Sequence, residues 1–290
     1  MANFTHQKSF DHFDLHTLKD DAGALLEVVP ARGGIISRFE VGGKPVFYLD
    51  RESLNDETKN VRGGNPVLFP ICGPLVDNKV ELEGRTYSMK QHGFARNLPW
   101  SVTDTKTGPD EASITIHLES SPTTHEQYPY DFSVDYTYRL RPGSLRIDQT
   151  YENRSSRPMP FYAGFHPYFT APDKHAVELS VAATEFNDFL TGQTRPAERV
   201  INFDAGPELN GDFRYVKERR VKFSNFGQPY SVELEFGEGF KHIVIWALKD
   251  KPFICVEPWM GFNRAMNSGE SITHLEPGKQ LVTFTTFNVK

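Results

Sequence analysis

The chain is poor in cysteine: Cys72 and Cys255 are the only two among 290 residues, and neither lies in a Cys-x-x-Cys pair. A disulfide framework is therefore not expected, and the usage fits a reducing compartment such as the cytoplasm. Basic clusters are equally scarce. The net charge is -6, and the densest basic run, Lys217-Glu218-Arg219-Arg220-Val221-Lys222, is broken by Glu218. Nucleic-acid binders draw much of their affinity from neutralised phosphates, so no nucleic-acid partner is expected. No apolar run approaches a bilayer-spanning length. The stretch from Met1 to His16 has no apolar centre and carries Asp11 and Asp14. We read neither a membrane span nor a secretory leader, and expect a cytoplasmic protein with no membrane partner. The histidines His6, His12, His16 and His242 lack metal-ligand spacing. His-Glu-x-x-His, Gly-x-Ser-x-Gly and a glycine-rich phosphate loop after a strand are missing. Metal, nucleotide and serine-hydrolase chemistry are left without a motif, and no cofactor is expected.

What the chain does have is aromatic residues, glycine, proline and alternation. Aromatics make up 13%, with 23 Phe, beside 22 Gly and 20 Pro. Ser133 to Leu140 alternates with period two, Arg141-Pro142-Gly143-Ser144 turns, and Leu145 to Tyr151 alternates back, which predicts a hairpin. Ala112 to Leu118, Val177 to Val181, Val221 to Phe223, Ser231 to Phe236, His242 to Leu248, Phe253 to Glu257 and Gln280 to Asn288 predict further strands. Tyr48 to Asn60 has some helical character but is short and polar. Many short strands separated by turn signals predict an all-β fold, a large antiparallel β-sandwich. With no linker, repeat or low-complexity stretch, residues 1–290 are read as a single domain.

One apolar stretch resists the strand reading. Asn65 to Leu75 holds three prolines, which cannot donate to a ladder, so it is expected to be irregular or at an edge. Lining a pocket would cover it; so would a dimer contact. Gly63-Gly64, just before it, allow a close backbone approach or positive φ.

Three short segments carry the chemistry. They are Gln91-His92-Gly93-Phe94-Ala95-Arg96, Phe165-His166-Pro167-Tyr168-Phe169 and Cys255-Val256-Glu257-Pro258-Trp259. Two imidazoles and a carboxylate can move protons near neutrality without a cofactor. Aromatic faces beside them suit a polyhydroxylated ring, apolar on its faces and polar at its rim. Glu257 extends the Phe253, Cys255 face of its strand, where a carboxylate is costly unless paired or functional. Pro258 is expected to end that ladder and leave Glu257 at the strand mouth. Each residue also has a plainer reading. Glu257 could face solvent, His166 could be a core histidine, and His92 could be a turn histidine bonding the backbone. Arg62 and Arg96 could be ordinary surface arginines, and Asp188 could cap an Asx turn in Phe186-Asn187-Asp188-Phe189-Leu190-Thr191-Gly192.

Taken in order, these segments resemble the aldose 1-epimerase (galactose mutarotase-like) family over most of the chain. The resemblance rests on Gly63 to Pro70, on His92-Gly93-Phe94-Ala95-Arg96 with Trp100, on His166, on Cys255-Val256-Glu257-Pro258, and on the closing Leu275-Glu276-Pro277-Gly278 turn. It implies a β-sandwich with a sugar cleft across one sheet. It also implies Glu257 as catalytic base, His166 as catalytic acid, and His92 and Arg62 as sugar-binding residues, with Asp188 chosen as the acidic residue that holds sugar hydroxyls. Glu257 would take the anomeric hydroxyl proton while His166 protonates the ring oxygen. Unperturbed pKa values of about 4.3 and about 6.5 would supply the charge states.

Arg62-Gly63-Gly64 and the His92 motif are closer to the hexose-6-phosphate 1-epimerase branch, in which Arg62 and Arg96 could clamp a phosphate. Phe165-His166-Pro167-Tyr168 and Asn65 depart from that branch. The expected function is therefore aldose 1-epimerase, with a hexose-6-phosphate 1-epimerase or a non-catalytic sugar-binding protein as alternatives. A glycosidase would call for two facing carboxylates, and Glu257 alone is available.

Overall fold

Alternating residues become strand wherever one face of a ladder can be buried, and this chain does so repeatedly. The computed structural model describes residues 3–290; Met1 and Ala2, which open the stretch read above as no leader, lie outside the described residues. Nine strands form one sheet in the order Val200–Ile201, Val177–Ser180, Arg220–Ser224, Val232–Phe236, Gln280–Val289, Ser144–Asn153, Phe132–Arg141, Ala112–Glu119, Ser101–Thr107. The predicted hairpin is there, with Leu140 opposite Leu145 and Phe132 opposite Asn153. An eight-stranded sheet faces it, built on Glu208–Phe213, His242–Leu248 and Phe253–Trp259 at its centre.

Aromatic side chains fill the space between the two sheets. Phe169 meets Phe223 with ring centroids 4.8 Å apart, and Tyr136 meets Phe165 at 5.5 Å. Such contacts add to the area that large rings bury, and they explain the many Phe and Tyr. Several buried tyrosines pair their hydroxyls, as Tyr136 with Tyr151 at 2.7 Å and Tyr138 to the Gly34 carbonyl at 2.8 Å. A third, five-stranded sheet from Thr5–Asp11 to Lys44–Pro45 was not read from the sequence. Its first strand, Thr5–Asp11, is almost wholly exposed and has no apolar face to betray it. The helical character near Tyr48 resolves to the short helix Arg51–Asn55, capped by the Asp50 carboxylate on the Glu52 and Ser53 amides.

The proline-rich stretch is buried. Val67–Leu68 forms the edge strand of the eight-stranded sheet, and residues 65–73 are covered by this same chain, so the stretch is not available as a dimer contact. Gly64 has φ 62°, and a Cβ there would lie 2.3 Å from the Ile36 carbonyl oxygen. Only glycine fits that approach.

The central strand departs from expectation in a useful way. Phe253–Trp259 does not stop at Pro258; Ile243 pairs opposite Pro258, and His242 opposite Trp259. On its other edge the ladder is interrupted instead. Tyr168 lies opposite Cys255 and Gly164 opposite Trp259, with no pairing between. Pro258 and Pro167 have no N–H to leave unpaired in this gap. The register is the same on both sides of the break, so His166 falls directly across from Glu257.

Candidate active site

That interrupted rung is the floor of a pocket of about 340 Å³, at the small end of ligand sites. Alternation along Phe253–Trp259 sends Ile254 and Val256 into the core, while Glu257 and Trp259 line the pocket and Cys255 packs with Tyr168, Trp246 and Phe253. The neighbouring strands contribute Val244 and Trp246, then Glu208 and Asn210. Loops supply Arg62, Gln91, His92 and Arg96.

His166 Nε2 lies 3.5 Å from Glu257 Oε1, and Trp259 Nε1–H donates to Glu257 Oε2 at 3.1 Å. The His166 ring stacks on Tyr168 at 4.8 Å, and its Nδ1 has no partner. Burial pushes the Glu257 carboxyl well above the usual range, against the Trp259 hydrogen bond and Arg96, which pull it down. Burial pushes His166 down to about 3, helped by Arg96 and Arg62. The expectation that ordinary pKa values would set the charge states is therefore corrected. Desolvation favours a neutral carboxylic acid beside a neutral imidazole.

His92 combines its plain and functional readings. Its backbone is left-handed at φ 69°, a conformation few side chains adopt, and it is pinned on both sides. His92 N–H donates to the Gly73 carbonyl at 3.0 Å, and Gly73 N–H donates to His92 Nδ1 at 2.9 Å. With Nδ1 accepting, the neutral ring carries its proton on Nε2, and the Gln91 side-chain amide 3.1 Å away must turn its oxygen toward that N–H to accept. Burial, then Arg96, His166 and Arg62, hold this imidazolium well below its ordinary range, so His92 presents a neutral N–H donor.

The two arginines enter from loops. The Arg62 guanidinium lies over the Trp246 ring at 5.3 Å. Arg96 donates to the Gln91 carbonyl at 2.9 Å, and burial lowers it to about 10. Arg62 hangs on the segment after the short helix, and buried Arg32 organises that segment. Arg32 donates to the carbonyls of Leu54 at 3.1 Å, Asp56 at 3.0 Å and Lys59 at 2.6 Å.

Thus Glu257, His166, His92, Arg62 and Arg96 meet in one pocket, and Asp188 does not. Its Oδ1 accepts from the Leu190 and Thr191 amides at 2.9 and 3.0 Å, the Asx turn that its sequence context also allowed. The pocket instead holds a second carboxylate beside Glu257, that of Glu208, so Glu257 is not the lone carboxylate the sequence led us to expect. Glu208 accepts from Trp246 Nε1–H at 2.8 Å and from Asn210 at 3.1 Å. The signal for it was Glu208 and Asn210 two apart in Glu-Leu-Asn-Gly-Asp-Phe, a strand that glycine and three polar residues disguise.

Comparison with known proteins bears on the family and the fold. A family model described as Aldose 1-epimerase matches residues 14–288. A solved protein from Synechocystis sp. PCC 6803 superposes with a TM-score of 0.93 at 36% identity, covering 99% of both chains. A galactose mutarotase-like protein from Clostridium acetobutylicum shares the fold at TM-score 0.81 and 17% identity, again over 99% of both. A protein of Escherichia coli (strain K12) named "Putative glucose-6-phosphate 1-epimerase" is 27% identical over 155 residues, 53% of this chain and 48% of that one.

Proposed function

The chain belongs to the aldose 1-epimerase family of carbohydrate isomerases, and from that premise we propose that it interconverts the α and β anomers of a hexose through His166 and Glu257. The observation that carries this reading is the 3.5 Å approach of His166 Nε2 to Glu257 Oε1 on the floor of the pocket. Opening a pyranose removes a proton from the anomeric hydroxyl and adds one to the ring oxygen, with no net proton change. A pair holding one proton between them can do both.

In this mechanism the Glu257 carboxylate takes the hydroxyl proton and the His166 imidazolium gives one to the ring oxygen. The C1–O5 bond breaks and C1 becomes an aldehyde. Rotation about C1–C2 presents its other face, and the ring recloses with the roles reversed. The neutral resting pair reaches the ionised form by passing its own proton from Glu257 to His166, so the total charge of the site is unchanged. Sugar hydroxyls that donate to the carboxylate, together with Arg96, favour that form. His92 Nε2–H donates to a sugar oxygen, Glu208 accepts from a ring hydroxyl, and Trp246 and Tyr168 offer apolar faces.

A phosphorylated hexose is the second reading. Arg62 rests on Trp246 and Arg96 on the Gln91 carbonyl, so both charges face the pocket without forming an ion pair among the described residues. Two such guanidinium groups suit a phosphate. One domain over residues 1–290 is supported by a single buried cluster that runs from Phe4 to Phe287. A cytoplasmic setting is supported by free, buried Cys72 and Cys255.

The test is α-to-β exchange by NMR with glucose, galactose and glucose 6-phosphate. Faster exchange of the free sugars supports the first reading. Preference for the phosphorylated sugar assigns Arg62 and Arg96 to a phosphate. No acceleration of any of the three would overturn catalysis and leave a sugar-binding protein.

A further inference from the structure

Spacing along the chain gave no metal motif, yet folding assembles three ligand types at one point. His166, Cys255 and Glu257 are all buried, and one ligand atom from each lies within 4.8 Å of the others. Cys255 precedes Glu257 by two on the same face of one strand, and His166 comes from across the interrupted rung. Around a tetrahedral zinc ion, nitrogen, oxygen and sulfur ligands stand about 3.4–3.6 Å apart, given the usual bond lengths. His166 Nε2 and Glu257 Oε1 are already at 3.5 Å. The widest separation in the group has to close by no more than about 1 Å to reach that geometry. The fourth position would open to the pocket, where water or a sugar hydroxyl can reach it.

We propose that His166, Cys255 and Glu257 form a site for a divalent ion of the zinc class, and that filling it switches the sugar chemistry off. One thiolate, one carboxylate and a neutral imidazole around a dication sum to zero charge, which suits a buried centre. Binding releases two protons to solvent, one from the Cys255 thiol and one from the His166–Glu257 pair. The ion then occupies both groups that would move protons for the sugar. Trp259 Nε1–H already orients the second carboxylate oxygen, as an outer-shell partner does. Two features keep the site weaker than a structural one. His166 Nδ1 lacks the partner that a metal-bound histidine normally has. Arg62 and Arg96 face the same pocket and repel a cation. The result is a reversible, inhibitory site.

The existence of the site is independent of the epimerase reading; its inhibitory effect rests on it. Cobalt(II) titrated into metal-free protein reports the site directly, since a thiolate ligand gives a near-ultraviolet charge-transfer band and tetrahedral geometry gives strong visible bands. Both are expected, with displacement by zinc(II). Cys255→Ser should lose the charge-transfer band, and Glu257→Gln, nearly isosteric, should weaken the visible bands. Absence of a band in folded wild type, or a band unchanged in Cys255→Ser, overturns the site. In turnover, zinc(II) should compete with sugar and be reversed by chelation. Cys255→Ser should keep basal exchange and need on the order of tenfold or more zinc for the same inhibition. If Cys255→Ser does not fold, Glu257→Gln alone decides the cobalt arm. A band without inhibition of an active enzyme overturns the switch. A band in a protein inactive on every sugar leaves the site standing and points the failure at the epimerase reading.

Discussion

Lowering the pH from 7 to 5 should unfold this protein more readily, and His242 shows by how much. Its side chain is fully buried, with Nε2 2.7 Å from Ser271 Oγ and Nδ1 without a partner. Burial, aided by Arg214 and Lys241, pushes it down to about 3. In the unfolded chain it returns to about 6.5. Because the folded value is the lower one, the unfolded chain binds the extra proton between those limits. Stability is complete above the unfolded value and falls as the pH drops below it. One such proton changes stability by about 1.4 kcal/mol per pH unit, or roughly 2 kcal/mol between pH 7 and pH 5. His92, also held far below its ordinary range, acts with the same sign. His166, lowered, acts with the same sign as His242, while the raised Glu257 carboxyl acts with the opposite sign and offsets it in part. His242→Gln keeps an amide within reach of Ser271 and removes one titrating group. Urea unfolding at both pH values should show wild type losing about 2 kcal/mol more than the variant, a large share of an ordinary domain's stability. Equal losses in the two proteins would refute the reasoning, whatever the variant costs at pH 7.

The same arguments reach the pocket. Glu257→Gln should cut anomer exchange by at least about 10²–10⁴-fold while leaving sugar affinity, measured by calorimetry, within a few-fold; full activity would sink the mechanism. With His166 pushed down to about 3, kcat/KM should show no inflection at 6.5, where an unperturbed imidazole would titrate. Glu208→Gln should raise KM by about tenfold or more, as expected for losing a charged hydrogen bond, whereas Asp188→Ala should leave KM unchanged. Arg32→Met frees the segment that carries Arg62, so KM should rise with kcat nearly held; a fall in kcat at constant KM would place Arg32 elsewhere in the mechanism.

Much of the site was legible because its residues break local rules. Glu257 is a carboxylate on an apolar face, and His166 sits in an aromatic run. Their convergence was not legible, since it depends on a register shared by two strands 87 residues apart at Tyr168 and Cys255. Asp188 and Glu208 show the limit from the other side. Both are acids near strand ends, and nothing local tells an Asx turn from a wall of a pocket. The sandwich is legible from alternation, whereas the exposed first strand of the N-terminal sheet, Thr5–Asp11, has no apolar face to reveal it.

The missing rung between Tyr168 and Gly164 has a consequence for how such a protein can change. His166 and Glu257 take their separation from the pitch of a sheet, whereas Arg62, Gln91 and Arg96 reach the pocket from loops. On the proposed mechanism, insertions or substitutions in those loops would alter which sugar is admitted without moving His166 and Glu257. Chemistry and substrate choice are thus separable, and selection or design can rewrite the second while inheriting the first intact.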